Sequence, residues 1–178
     1  MRSRLAQIWE GDSAPQAANA IREMEELAIT WQKEAIALAQ LVDAEGYKRN
    51  LGSAGVGPLS ACCFTFLFNS KEFESPDAIR AFVGLDLKVA DSRTKRGKRI
   101  LTKRGDRILR YAITCAGRGL LNSRLGKEVN EQLIQQGRKM PERLVIAARK
   151  VIRTVYQLNK LQKPFDPNKF SWRLDTKT

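Results

Sequence analysis

The chain has 178 residues, and 32 Lys and Arg against 19 Asp and Glu give it a formal net charge of +13, so an anionic polymer is the expected partner and a membrane surface the competing one. It has no histidine, which excludes His-containing zinc sites, Ser-His triads and histidine general bases. No run of 18 apolar residues and no signal-peptide pattern after Met1 is present, so we expect a cytoplasmic protein without a membrane span.

The first predicted element is a long amphipathic helix from Ala17 to about Ala44, ended by Gly46. Its apolar positions alternate in steps of four and three, which is typical of a heptad seam: Ala17, Ile21, Met24, Ala28, Trp31, Ala35, Leu38 and Val42. Such a seam packs either on the helix's own domain or on a partner helix. The second alternative predicts a homo-oligomer held by a coiled coil.

A glycine-rich turn follows the long helix. Gly55, Val56 and Gly57, with Pro58 opening the next helix, look like the turn of a helix-hairpin-helix. Glycines admit positive φ and let backbone N–H groups approach a phosphate, which makes Gly55 and Gly57 candidate DNA-binding residues. An ordinary tight connection is the alternative interpretation.

A short buried helix is predicted from Pro58 to Phe68, and it carries two of the three cysteines. Cys62, Cys63 and Cys115 are expected to be buried free thiols, because apolar residues surround them in the sequence and neighbouring cysteines do not readily bridge each other. The next predicted helix begins at Ser75 and ends at Gly84.

A further helix is predicted to begin at Asp106. Its inward-facing side chains would be Ile108, Leu109, Ala112, Ile113, Ala116 and Leu120. A short polar helix lies between Gly126 and Gly137, and Pro141 opens the last long helix. The buried stripe predicted for that helix consists of Leu144, Ala148, Val151, Val155 and Leu158. The tail after Pro164 is expected to be polar and mobile.

The segment from Lys88 to Arg110 carries ten Lys or Arg and two Asp, a net charge of +8. Glycines and short hydroxyl side chains stand between the cations. This mixture favours contact with a sugar-phosphate backbone over the alternative interpretation, a solvated basic loop. The candidate DNA contacts in this segment are Arg93, Lys95, Arg96, Lys98, Arg99, Thr102, Lys103, Arg104, Arg107 and Arg110.

The only strands expected are a short ribbon flanking the basic segment. The predicted fold class is therefore mainly α, with a heptad-patterned N-terminal helix followed by a compact helical domain that carries the hairpin turn and the basic loop. The expected divisions are a helical connector at 1–50, a DNA-binding domain at 51–161 and a polar tail at 162–178.

Five features occur in a recognisable order: the Gly-Val-Gly-Pro hairpin, residues 82–85, Ser92, the block 97–110 and residues 147–153. Together they resemble the C-terminal transposase domain of the insertion-sequence one-ten family, which includes pilin-gene invertases. The resemblance covers about Leu51 to Leu161. Its most specific element is the block Thr102-Lys-Arg-Gly-Asp106 with the helix that follows.

The resemblance implies a domain for DNA transposition that supplies a serine nucleophile just upstream of this block. That role falls on Ser92, with Thr94 as second choice and a loop-capping serine as the structural alternative. Arg93, Lys95 and Arg96 would stabilise charge on the phosphate in transit. The family usually has glycine after the serine, whereas this chain has Arg93 there.

The resemblance also implies partners. In the family, four acidic residues of an N-terminal RuvC-like domain hold magnesium, and a structured guide RNA directs recombination. Nothing before Leu51 resembles that domain, so the chain looks like a transposase reduced to its connector and C-terminal domain. We therefore expect no cofactor in this chain, and a RuvC-like domain acting in trans.

Two further functions compete with a transposase. One is a non-catalytic DNA- or RNA-binding remnant that keeps the hairpin and the basic face. The other is a basic RNA-structural protein of ribosomal type, which fits the charge but explains neither the heptad helix nor the order of the motifs.

Overall fold

The computed structural model describes residues 14–89, 99–101 and 105–172. The order of helices is α1 (Ala14–Leu51), α2 (Pro58–Ser70), α3 (Pro76–Phe82), α4 (Arg107–Asn122), α5 (Lys127–Gln135) and α6 (Met140–Leu161), followed by a 3₁₀ turn at Pro167–Lys169. Between α3 and α4, β1 (Leu87–Val89) pairs antiparallel with β2 (Arg99–Leu101). The mainly α prediction and the expected ribbon are both confirmed.

The long first helix changes direction at Asp43 instead of ending at Gly46. Asp43 has extended backbone angles (φ −159°, ψ 88°), and its Oδ1 accepts a hydrogen bond from Gly46 N at 2.8 Å. Asp43 is thus the N-cap of a second helical segment that continues to Leu51. A Cβ on Gly46 would stand 2.6 Å from Asp43 Cγ, so the glycine serves this cap, and the predicted helix end was wrong.

The core lies between α2, α4, α6 and the C-terminal part of α1. Its largest buried side chains include Phe64 of α2, Ile113 and Leu120 of α4, and Ile152 of α6. α4 and α6 approach closely at Gly117, where a Cβ would stand 2.8 Å from the backbone nitrogen of Ala148.

The end of α1 belongs to this core, so the compact body begins before residue 51. Ala39 and Tyr47 are buried in it. Buried Asn50 donates from Nδ2 to Thr65 Oγ1 at 3.1 Å, and its Oδ1 accepts from Asn159 Nδ2 at 2.7 Å. These two hydrogen bonds join α1, α2 and α6 through one amide that is fully removed from solvent.

The N-terminal part of α1 leaves its apolar seam exposed. Trp31 is 66% exposed, and Met24, Leu38 and Val42 are exposed as well. Only from Ala35 onward does the helix pack on the core. Before Ala35, the seam therefore has no partner among residues 14–89, 99–101 and 105–172. No helix in the described part of the chain is long and apolar enough to cross a membrane.

Three other expectations need correction. Ile108, expected inside, lies in the first turn of α4 and is 69% exposed. Cys115, expected to be buried, is exposed, whereas Cys62 is buried and all three thiols are free. The tail is attached as far as residue 172, since Phe170 and Trp172 pack against the core and Lys150 Nζ stands 4.8 Å from the centre of the Phe170 ring.

Candidate nucleic-acid interface

The hairpin between α1 and α2 is shaped by a contact with α4. Gly55 has φ +80°, as predicted for a tight glycine turn. A Cβ there would stand 2.6 Å from Ala116 O and closer still to Leu120 N. Gly119 faces it from α4, so two glycines allow the backbones to touch. The side of Gly55 on which a side chain would stand therefore faces α4 and not solvent.

Gly57 differs from Gly55 in both backbone and surroundings. It is the N-cap of α2 with φ −91° and ψ 174°, a conformation open to any residue, so the prediction of positive φ was wrong here. Nothing lies within 4 Å of the position a Cβ would take. The start of α2 is therefore open on the Cβ side of Gly57. The contact of Gly57 with a phosphate stays a prediction.

The ribbon pairs two short strands at the start and near the middle of the basic segment. Val89 pairs with Arg99, Lys88 with Ile100 and Leu87 with Leu101. Val89 and Arg99, which flank residues 90–98, thus lie side by side. The predicted nucleophile Ser92 and the candidate contacts Arg93, Lys95, Arg96 and Lys98 lie outside the described residues, as do Thr94, Thr102, Lys103 and Arg104. Arg99 lies in β2.

Gly105 and Asp106, the last two residues of the family-like block, fix the start of α4 against the end of α3. Gly105 has φ +134°, and a Cβ on it would stand 3.0 Å from the carbonyl carbon of Val83 and closer still to Phe82 O. Asp106 caps α4 by accepting a hydrogen bond from Leu109 N at 2.8 Å. The specific block therefore has a structural role that the sequence pattern did not show.

Arg110 also connects these elements. Its Nη1 donates to Val83 O at 3.2 Å and to Gly105 O at 3.5 Å. The guanidinium is therefore engaged by the backbone at the junction between α3 and α4. This arrangement holds the C-terminal end of the basic segment in place, whether or not Arg110 also meets a phosphate.

The outer face of α4 carries two cations and an aromatic ring. Arg107 and Arg118 are exposed, and Tyr111 lies between them, 65% exposed, at spacings of four and seven residues. A side-chain hydrogen bond with Cys115 raises the pKa of Tyr111. Exposed arginines beside an aromatic ring suit a nucleic-acid backbone and its bases. The sequence prediction included Arg107 but missed Tyr111.

Comparison with known proteins gives one family. Residues 51–133 match the transposase IS116/IS110/IS902 family. This part of the chain belongs to that transposase family. No curated protein matches the chain. The matched segment runs from the hairpin through α2, α3, the ribbon and α4 into α5, so the transposase region contains Ser92, the whole basic segment and the junction at Gly105.

The described part of the chain offers few side chains for thiol or metal chemistry. Burial raises the pKa of Cys63 to about 11 and also raises that of Cys62, so neither thiol forms a thiolate at neutral pH. Within 14–89, 99–101 and 105–172, no three His, Cys, Asp or Glu side chains come close enough to hold a metal ion. The magnesium implied by the family has no donor set among those residues.

Proposed function

We propose that this transposase-family chain binds DNA through the segment 88–110 and the outer face of α4. Its Ser92 would be the nucleophile that attacks a DNA phosphodiester once a RuvC-like domain completes the site. The observation that carries the proposal is the family match over 51–133, which contains the serine and the most basic part of the sequence.

Charge and geometry support the DNA-binding half. The segment carries a net charge of +8, and the ribbon within it places residues 87–89 beside residues 99–101. Arg107, Tyr111 and Arg118 extend the same kind of surface along α4. Lys and Arg that neutralise phosphates release counterions, which makes such binding strong at low salt and largely independent of sequence.

The catalytic half follows from serine chemistry. Ser92 Oγ would lose its proton and bond to phosphorus, while the bond to a deoxyribose oxygen breaks and that oxygen takes up a proton. The resulting phosphoserine link preserves bond energy for rejoining the strand. Arg93, Lys95 and Arg96 would stabilise the charge on the phosphate in transit. Because the chain has no histidine, we assign the base and the magnesium to the acidic residues of the RuvC-like domain.

The exposed seam of α1 supports a homo-oligomer. Met24, Trp31 and Leu38 repeat at heptad spacing and are exposed among the residues that the structure describes. Pairing two such helices would bury these side chains and bring two basic segments into one assembly. A guide RNA remains a further expected partner, since the same cations can contact an RNA backbone.

The test is a denaturing gel for a covalent protein–DNA adduct. It uses DNA carrying the element's ends, magnesium, a candidate RNA, and the chain with and without a RuvC-like domain from a family member. We expect an adduct only with the added domain, lost in Ser92→Ala and kept in the matched variant Thr94→Ala. An adduct from the chain alone would contradict the need for the second domain. DNA binding without any adduct would favour the non-catalytic remnant.

A further inference from the structure

Three arginines from two helices meet beside the base of the ribbon. Arg80 of α3 and Arg149 and Arg153 of α6 line a shallow depression together with Pro76, Asp77 and Ile152. Arg149 Nη2 donates to Leu85 O at 3.4 Å, two residues before β1 begins. The depression therefore adjoins the point where the chain enters the ribbon.

The positive charges in this depression are only partly balanced. Arg80 binds Asp77 through Nη1 at 2.9 Å and Asp86 through Nε, so it engages both nearby carboxylates. Arg149 and Arg153 form no ion pair within the described ranges. Arg149 Nε is buried and has no hydrogen-bond partner there. Burial lowers the pKa of Arg149, and the neighbouring charge of Arg80 lowers it further.

An arrangement of this kind is costly without an anion. A buried N–H without a partner, held beside two other guanidinium groups, loses hydration, and Asp77 and Asp86 offset only part of the positive charge. Arg149 and Arg153 are four residues apart on α6, so they point to the same side of the helix. Guanidinium groups donate in a planar fork that matches phosphate oxygens, which a lysine pair would not do.

We propose that Arg149 and Arg153, with Arg80 behind them, form a binding site for a backbone phosphate of a nucleic acid. This inference rests on the proposed function and adds a contact on α3 and α6, outside the segment 88–110. The occupant is assigned as nucleic acid because the depression adjoins the ribbon whose connecting segment carries the densest positive charge in the chain. An acidic protein surface would be a different occupant, and the test separates the two.

The experiment measures equilibrium binding of the full chain to a duplex DNA and to a duplex RNA of equal length, over a series of salt concentrations. The variants are Arg149→Gln/Arg153→Gln and the single Arg153→Gln. The matched control is Arg124→Gln/Lys127→Gln, which removes two exposed charges near the start of α5. Arg153 is exposed, so the single variant stays informative if the double variant loses stability.

One phosphate contact contributes about 0.9 to the slope of log K against log salt on duplex DNA, and therefore about eightfold in affinity at 0.1 M salt. We expect the double variant to lose about 1–2 in slope and at least eightfold in affinity at 0.1 M salt. The single variant should lose about half as much slope, and the control should change little. A loss on DNA, RNA or both identifies the source of the phosphate. Variants that match the control on both would overturn the proposed nucleic-acid site. An unmodified chain that binds neither would overturn the proposed function itself.

Discussion

The contact between the hairpin and α4 gives the sharpest stability prediction. Placing serine at Gly55 forces a side chain into a backbone with φ +80°, which costs about 1–2 kcal/mol. Its Cβ would also stand 2.6 Å from Ala116 O, so α4 must shift, and such overpacking costs about 1–3 kcal/mol. The sum is about 3 kcal/mol, or a Tm lower by about 6–12 °C for a chain of this size.

Gly57→Ser is the matched control, because the same side chain enters open space at an N-cap that has extended backbone angles. Serine is a preferred N-cap residue, so we expect a stability within about 0.5 kcal/mol of the unmodified protein, or slightly above it. Thermal and urea unfolding of both variants measure the difference. Equal melting temperatures for Gly55→Ser and Gly57→Ser would refute the account of the hairpin as a turn packed on α4.

Three further predictions follow from single features. Asp106→Ala should lower the free energy of unfolding by about 1 kcal/mol, because it removes the α4 cap, whereas Asp106→Asn should keep most of the cap's stabilisation. Equal losses for the two variants in urea unfolding would contradict the capping role. Trp31→Glu with Leu38→Glu should convert an oligomer to a monomer in sedimentation. An unmodified chain that is already monomeric at tens of micromolar would refute the pairing of α1. At pH 8 a small alkylating reagent should modify exposed Cys115 well before Cys63, because with a pKa of about 11 only about one Cys63 thiol in a thousand is ionised. Mass spectrometry measures the order, and modification of Cys63 first would contradict this prediction.

The helices could be predicted from the sequence where local signals and packing agree. Asp106 begins α4 and Ser75 begins α3, because each side chain accepts a hydrogen bond three residues ahead in the same short stretch. The end of α1 could not be predicted in this way. Asp43 looks like one of many surface acids of a helix, and Gly46 looks like a terminator. Their true relation, an N-cap inside a continuous run, depends on the packing of residues 44–51 in the core.

The candidate interface was predicted less completely than the fold. Charge density alone predicts that the segment 88–110 contacts DNA, since phosphate contacts need only cations and space. Periodicity could not show that Gly55 is required by α4 or that Gly105 touches the end of α3, because both contacts join residues far apart in sequence. The arginine cluster at Arg80, Arg149 and Arg153 was missed for the same reason: α3 and α6 meet only in the folded chain.

The central claim, that the segment 88–110 holds DNA through its phosphates, is tested most directly by the salt dependence of binding to duplex DNA. If about six of its ten cations contact phosphates, log K should fall with log salt at a slope near −5. Replacing Lys95, Arg96, Lys98 and Arg99 together by Ala should remove much of that slope and leave the helical circular-dichroism signal unchanged. A flat salt dependence in the unmodified chain, or an unchanged slope in the fourfold variant, would contradict the account.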